Sequence, residues 1–157
     1  MSRHLSWLFA GICLLASMPL SAARDVLDEP VSLRAEADLV KAVALTLQHA
    51  ITTSEQFQGR SPALRKFADK EVKKSRSHLR QLGKRIPEQI PAVRQLAIAP
   101  DNEQSYVRAM LRNHARLVEL IEHGLGLPLS ADIKHAMEAL SSNAIAERAF
   151  LNKMEQS

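Results

Sequence analysis

Apolar residues recur at steps of three and four along four segments of the chain, the spacing that places side chains on one face of an α-helix. The segments span residues 32–58, 62–84, 101–123 and 131–154. No segment alternates between apolar and polar residues as a half-buried strand does. The pattern therefore predicts an all-α protein with four helices. The apolar positions are Leu33, Ala37, Val40, Ala44, Leu47, Ile51, Leu64, Phe67, Ala68, Val72, Leu79, Leu82, Tyr106, Val107, Met110, Leu117, Val118, Ile121, Ile133, Met137, Leu140, Ala144 and Leu151.

The ends of these segments carry residues that favour helix termini. Ser61 can accept a hydrogen bond from the first turn of the second helix, and Pro62 occupies that turn, where its missing N–H costs no hydrogen bond. Asp101 and Gln104 resemble a capping box at the start of the third helix. That helix is expected to end at Gly124.

The connections between the predicted helices differ in length. Only a few residues separate the first helix from the second and the third from the fourth, so each pair forms a helical hairpin. The middle connection, residues 86–100, is long and holds three prolines, with room for one short helix near residues 92–98. Two hairpins bury their apolar faces by packing against each other. We therefore expect a four-helix bundle made of two hairpins and a long connection.

The first 23 residues have the composition of a secretory signal peptide. Arg3 is followed by an apolar run that ends near Leu20, and small residues stand at positions 21–23, where a signal peptidase cleaves. Residues 1–23 are therefore assigned to a signal peptide and residues 24–157 to one helical domain. We expect this domain in the periplasm. No later segment is long and apolar enough to cross a bilayer.

Positive charge is concentrated on the second predicted helix. The whole chain has 21 Lys and Arg against 17 Asp and Glu, a formal net charge of +4. Ten of the cations lie between Arg60 and Arg85, where the only acidic residues are Asp69 and Glu71. The charged face of this helix has two interpretations. It is an ordinary solvated surface, or it is a patch that binds an anionic surface or an acidic protein partner. Nucleic acid is not an expected partner, because aromatic residues make up only 4% of the chain. The cations placed to bind such a partner are Lys73, Lys74, Arg76 and Arg80.

Two short motifs carry a resemblance to a known family. Residues 61–68 read Ser-Pro-Ala-Leu-Arg-Lys-Phe-Ala, and residues 106–118 carry an aromatic, a methionine and a histidine at helical spacing. In these motifs the chain resembles exported bacterial proteins of unknown function that have a ferritin-like four-helix domain. The resemblance covers most of residues 32–154 and implies a ferritin-like bundle. The chain departs from the family's pattern at residues 73–75, which are Lys-Lys-Ser, and at Glu147, since family members often carry histidines there.

Four ionisable side chains fall on the apolar faces of the predicted helices. These are Glu71 and His78 on the second helix, His114 on the third and Glu147 on the fourth. Imidazole and carboxylate groups that face a bundle core are the usual donors of a helical metal site, and two of each would complete a four-coordinate ion such as zinc. The alternative is structural, with the glutamates reaching water and His114 hydrogen-bonded to one of them. The expected cofactor is therefore either none or a divalent metal ion.

The spacing along the second helix limits which of these residues can act together. Glu71 and His78 are seven residues apart, which is about 10 Å along a helix axis, so the two side chains share one ion only if Glu71 reaches along the helix or a water molecule bridges. We expect His78, His114 and Glu147 to form the cluster, with Glu71 outside its ligands. A di-iron site is not predicted, because the sequence contains no Glu-x-x-His motif.

The sequence carries no other catalytic arrangement. There is no nucleophile elbow and no phosphate-binding loop, and the single cysteine, Cys13, lies within the signal peptide. His49 and His135 fall away from the apolar faces and are expected to be exposed. The sequence predicts a non-enzymatic exported bundle that acts as an envelope or stress-related interaction module. The alternative is a divalent-metal-binding, ferritin-like protein.

Overall fold

The computed structural model describes residues 26–28, 30–85 and 99–156 and consists mainly of four long α-helices. No strand occurs within these described residues. The predicted all-α four-helix bundle is therefore confirmed. In chain order the helices are α1 (Glu36–Glu55), α2 (Pro62–Arg85), α3 (Glu103–Gly124) and α4 (Ala131–Glu155), and a short 3₁₀ turn precedes them at Val26–Asp28.

Two of the sequence predictions lie outside the described residues. They are the signal peptide at residues 1–23 and the short helix near residues 92–98. Of the long middle connection, the structure describes only the last part, which leads into α3.

The helix boundaries are set by local hydrogen bonds. Helices α2 and α4 match the predicted segments to within one residue at each end, whereas α1 and α3 begin later than predicted. At the start of α1, the carboxylate of Asp38 accepts the N–H groups of Arg34 and Ala35 at 3.0 and 3.1 Å. At the start of α3, Asn102 Oδ1 accepts the Ser105 N–H at 2.8 Å, and Ser105 Oγ accepts the Asn102 N–H at 3.0 Å. This capping box lies one residue beyond the expected one.

The two hairpins, α1 with α2 and α3 with α4, dock in an uneven way. Helix α1 packs closely against α3 in an antiparallel arrangement, since Ser54 meets Tyr106 near one end and Leu39 meets Gly124 near the other. The backbones of α2 and α4 stay farther apart, and these helices meet mainly through long side chains. A groove therefore runs between α2 and α4.

The carboxylate of Glu103, the first residue of α3, ties the two hairpins together at one end. Glu103 Oε1 accepts the backbone N–H groups of Arg60 at 2.7 Å and Ser61 at 2.6 Å, in the connection between α1 and α2. At Gly59, an added Cβ would lie 2.1 Å from the Phe57 ring and 2.9 Å from Glu103 Cγ. A glycine at this position therefore lets the connection lie close to the second hairpin.

The core consists of two apolar clusters, one toward each end of the bundle. A polar layer lies between them, and in it Glu71, Ser75 and His114 are all buried. Buried polar groups are costly unless they are paired, so the contacts in this layer affect both stability and chemistry. The first cluster comprises Leu39, Val40, Val43, Leu47, Leu82, Leu117, Val118, Ile121, Ile133, Met137, Leu140 and Ala144. The second comprises Ala50, Leu64, Phe67, Ala68, Tyr106, Val107, Met110 and Leu151.

The prediction that His49 is exposed is wrong, because this side chain is buried. Helix α1 packs against α2, α3 and the 3₁₀ turn, so more than one of its faces is covered. His49 Nδ1 lies 3.2 Å from Asn113 Nδ2 and 3.5 Å from Thr53 Oγ1. The side chain of His135, by contrast, is 91% exposed, as predicted.

Candidate metal site

Three side chains from three different helices converge in the polar layer. Glu71 on α2, His114 on α3 and Glu147 on α4 each offer one donor atom, and these atoms all lie within 4.8 Å of one another. His114 and Glu71 are buried, and the Glu147 side chain is 12% exposed. One imidazole nitrogen and two carboxylate oxygens form a donor set that zinc and similar divalent transition metals accept.

The local sequence explains why these polar side chains point inward. His114 follows Met110 by four residues and precedes Leu117 by three, and both neighbours are core residues. Glu147 follows Ala144 by three residues and precedes Leu151 by four, and these neighbours are also core residues. A residue placed between core residues at steps of three and four shares their face of the helix. The apolar neighbours therefore hold the polar donors at the helix interfaces.

A backbone hydrogen bond fixes the orientation of the His114 ring. His114 Nδ1 lies 2.8 Å from the carbonyl oxygen of Met110. A carbonyl only accepts, so Nδ1 carries a proton and donates it, and this assigns the tautomer from the hydrogen-bond partner. Histidines that bind metals usually donate their second nitrogen in this way. The ring is thus held with Nε2 turned toward the carboxylates.

The second ring nitrogen faces both carboxylates. His114 Nε2 lies 3.1 Å from Glu147 Oε2 and 3.8 Å from Glu71 Oε2. A bare nitrogen lone pair would face oxygen lone pairs at this distance, which is unfavourable. Either a second proton on the ring or a cation between the donors removes the conflict. Both states make the cluster a place where positive charge is stabilised.

Lys74 supplies positive charge at the same two carboxylates. Its Nζ lies 2.7 Å from Glu71 Oε2 and also contacts Glu147 Oε2, while its side chain is 19% exposed. Ser75 Oγ donates a hydrogen bond to Glu71 Oε1 at 2.7 Å. Glu71 Oε2 receives no well-aligned hydrogen bond although it is buried and close to Lys74. Glu71 is therefore stabilised mainly by its ion pair with Lys74, and its Oε2 atom has no well-aligned hydrogen-bond donor.

Glu147 stays ionised over the physiological pH range. Burial alone raises the pKa of this carboxyl, but hydrogen bonds from His114 and Lys74 outweigh burial and lower it from 4.5 to about 2. An ionised carboxylate is the form that coordinates a metal, so Glu147 needs no deprotonation before binding an ion.

The structure changes which residue of α2 joins the cluster. The expected member His78 does not belong to the converging group, and Glu71, expected outside the ligands, does. His78 lines a separate cavity of about 350 Å³ farther along the groove, with Leu82, Asp132 and Leu140 among its walls. Burial and then the charge of Lys74 lower the pKa of His78.

A second cavity lies between α2 and α4 and reaches one member of the cluster, Glu147. Its volume is about 400 Å³, and Glu147 forms part of its wall. The stacked rings of Phe67 and Phe150, with centroids 5.3 Å apart, form an apolar side of this cavity. An ion can therefore approach the Glu147 carboxylate without crossing the tightly packed α1–α3 interface. The complete lining is Ala63, Lys66, Phe67, Lys70, Ala146, Glu147 and Phe150.

Two of the four cations expected to face a partner are engaged in ion pairs. Lys74 turns toward the buried carboxylates, and Arg76 contacts the carboxylate of Glu55. Lys73 and Arg80 remain exposed on the surface of α2. The patch as first defined is therefore smaller, and sequence reasoning missed the inward role of Lys74. The signal was its spacing of three residues from Glu71, at which side chains on a helix meet.

Comparison with known proteins adds no assignment. No family model, no curated protein and no solved structure matches the chain. The resemblance to exported ferritin-like proteins therefore stays a prediction. Among the described residues, no helix combines the length and the apolar character needed to span a bilayer.

Proposed function

We propose that this protein reversibly binds one divalent transition-metal ion, with Glu71, His114 and Glu147 as its ligands. The observation that carries the proposal is the convergence of three donors from three helices within 4.8 Å. The hydrogen bond from His114 Nδ1 to the Met110 carbonyl supports it, because it presents Nε2 to the two carboxylates.

Two of the three donor separations, those that involve His114, are close to the separations around a tetrahedral ion. Two ligand atoms that each lie about 2.1 Å from such an ion are about 3.4 Å apart. His114 Nε2 is 3.1 Å from one carboxylate oxygen and 3.8 Å from the other, which brackets that value. Calcium takes six to eight oxygen ligands and magnesium demands an octahedron, so neither suits a compact set that includes a nitrogen. Zinc is the best probe of the site.

The proposed place of this activity is the periplasm, and the support is the composition of residues 1–23. Three protein ligands leave a fourth position open, so the site suits exchange of its ion better than a closed structural site does. The proposed role is metal binding or buffering in the envelope. No catalytic residue is assigned.

Zinc titration of the purified protein tests this function. We expect one zinc ion per chain, measured by competition with a coloured chelator and by elemental analysis. Glu147→Gln and His114→Gln remove one donor each while keeping side-chain size, and each should weaken binding about 100-fold or more. Glu138→Gln, an exposed change on α4, is the control and should bind as the natural protein does. Equal zinc affinity in all four proteins would show that the cluster is only a buried ion-pair network.

A second candidate function is contact with an anionic membrane surface. Five exposed cations follow α2 at steps that keep them on one side: Lys66, Lys70, Lys73, Arg80 and Lys84. Such a row lies flat against a charged plane, and each Lys or Arg near an anionic bilayer contributes about 1 kcal/mol at low salt. Of the cations predicted to bind a partner, Lys73 and Arg80 belong to this row, whereas Lys74 and Arg76 contact carboxylates.

Vesicle sedimentation tests whether this row of cations binds a membrane or is only solvated. The protein should bind vesicles that contain anionic lipid, and added salt should release it. Changing Lys66, Lys70 and Lys73 to Glu should abolish the binding. The same charge change spread over Lys41, Arg108 and Lys134 is the matched control and should retain most of it. Similar losses in both triple variants would indicate a response to net charge alone.

A further inference from the structure

The ammonium group of Lys74 contacts the same two carboxylates that would hold a metal ion. We infer that Lys74 is an internal competitor for that ion: it neutralises Glu71 and Glu147 in the metal-free protein and has to leave when a metal binds. This inference rests on the proposed metal-binding function. In this inference Lys74 determines both the affinity of the site and its selectivity among metal ions.

The contacts indicate that the Lys74 ammonium and a bound metal ion exclude each other. Lys74 Nζ is 2.7 Å from Glu71 Oε2 and contacts Glu147 Oε2. Those same oxygens are the ones nearest His114 Nε2. A divalent ion bonded to both oxygens would lie about 2 Å from each and therefore within about 4 Å of the ammonium that contacts the same atoms. Like charges at such a separation in a buried site repel strongly.

Lys74 has a route out of the site that leaves the helices in place. Its side chain also lines a shallow surface groove along α2, together with Lys66, Asp69, Lys70 and Lys73. Rotation about the side-chain torsions can move the ammonium into that groove and into water. There it would join three other lysines, so leaving the carboxylates is opposed by repulsion as well as by lost contacts.

This competition has a consequence for selectivity. An ion must gain enough from the three ligands to offset the displacement of Lys74. Zinc gains from the His114 nitrogen, whereas calcium and magnesium prefer oxygen and gain little from it. Lys74 therefore weakens the binding of every ion. For the hard cations calcium and magnesium, the free energy gained from the three ligands is too small to displace it. The site is tuned toward exchangeable binding of transition metals.

Chelator competition with charge-removal variants tests the inference. Lys74→Met keeps the apolar stem and removes the charge, and we expect it to bind zinc about tenfold or more tightly than the natural protein. Lys73→Met, its exposed neighbour, is the control and should change the affinity less than about threefold.

The outcomes separate this inference from the function on which it rests. Zinc binding by Lys74→Met alone would support the competitor role and refute metal binding by the natural protein. Equal affinities in the natural protein and in Lys74→Met would overturn the inference and leave the function intact. Failure of both proteins to bind zinc would overturn both proposals.

A measurement on the natural chain covers the case in which Lys74→Met does not fold. Amine acylation followed by peptide mass spectrometry reports how accessible each lysine is. Zinc should increase the modification rate of Lys74 about threefold or more, while the exposed Lys41 and Lys134 on other helices stay unchanged as internal references. An unchanged rate at Lys74 under saturating zinc would mean that the ammonium does not leave, and the inference would be wrong.

Discussion

The α1–α3 interface and the α2–α4 groove both contain buried polar groups, but they use them differently. Between α1 and α3 the backbones are close, and the polar contacts are neutral: Asn113 Nδ2 donates to the Thr46 carbonyl at 2.8 Å, and Ser54 Oγ lies 3.0 Å from the Tyr106 hydroxyl. Between α2 and α4 the backbones are farther apart, and the side chains that meet are charged.

The spacing of the backbones explains this difference. A close interface has no space for a solute, so its polar groups satisfy one another and contribute to specificity of packing. A wider interface needs long side chains to fill it, and Lys74 and Glu147 reach across while remaining close to solvent. Polar residues at the same depth in a bundle therefore serve structure in one interface and are available for binding in the other.

The largest expected effect on stability comes from removing a buried side chain at the α1–α3 interface. Leu39 is fully buried between α1 and α3, next to Gly124. Leu39→Ala should reduce the free energy of unfolding by about 2–5 kcal/mol, since a cavity remains where the side chain packed. Ile145→Ala, at a side chain that is 54% exposed, is the control and should cost under about 0.5 kcal/mol. Urea unfolding measures both, and equal costs would contradict the close packing of α1 on α3.

The next effect concerns the groove and depends on pH. The folded state lowers the pKa of Glu147 from 4.5 to about 2, so the ionised carboxylate stabilises the fold above pH 4.5. That contribution, up to about 3 kcal/mol, is lost as the pH falls from 4.5 to 2. The stability difference between the natural protein and Glu147→Gln should therefore shrink over this range. Urea unfolding at pH 6 and pH 3 measures it, and Glu138→Gln should show a much smaller change.

A smaller effect is expected from overfilling the close interface. A Cβ added at Gly124 would lie 2.5 Å from the terminal methyl groups of Leu39, so this fully buried side chain would have to shift. Gly124→Ala should therefore cost about 1–3 kcal/mol. The nearest atom to a Cβ added at Gly126 is 3.6 Å away, so Gly126→Ala is the matched control. If thermal melts showed no difference between the two variants, the helices would not be in such close contact.

The smallest expected effect distinguishes two histidines. His49 is buried beside Asn113 and Thr53 in the close interface, so His49→Ala should cost about 1–2 kcal/mol through lost packing and hydrogen bonding. His135→Ala changes an exposed side chain and should cost under about 0.5 kcal/mol. Urea unfolding of the two variants gives the comparison. If His49→Ala left the free energy of unfolding unchanged, the His49 side chain would have to lie at the surface of α1.

Hydrophobic spacing was sufficient for the fold because each helix buries at least one apolar face. Helices α2 and α4 were predicted almost to the residue. The prediction for His49 is wrong because it takes each helix to have a single buried face, while α1 is covered from several sides. The sequence does carry a signal for this, since residues 42–54 contain no Asp, Glu, Lys or Arg and α1 therefore has no charged face over that stretch.

The candidate site was only partly predictable for a related reason. The helical period showed that Glu71, His78, His114 and Glu147 face inward, and spacing showed that Glu71 and His78 share one ion only if Glu71 reaches along the helix or a water molecule bridges. Choosing between the two requires the axial register of α2 against α3 and α4, which depends on the docking of the hairpins. Lys74 was missed because its ammonium reaches inward from a residue counted on the polar face.

The carboxylate of Glu103 has a consequence for the order of events in folding. Contacts within each hairpin are local in sequence and form quickly, whereas the bonds from Glu103 to Arg60 and Ser61 join the two hairpins. The metal ligands also come from both hairpins, since Glu71 lies in the first and His114 and Glu147 lie in the second. A bound ion would therefore hold only the docked form. Its main kinetic effect would be to slow the separation of two preformed hairpins, leaving the rate at which each hairpin forms unchanged.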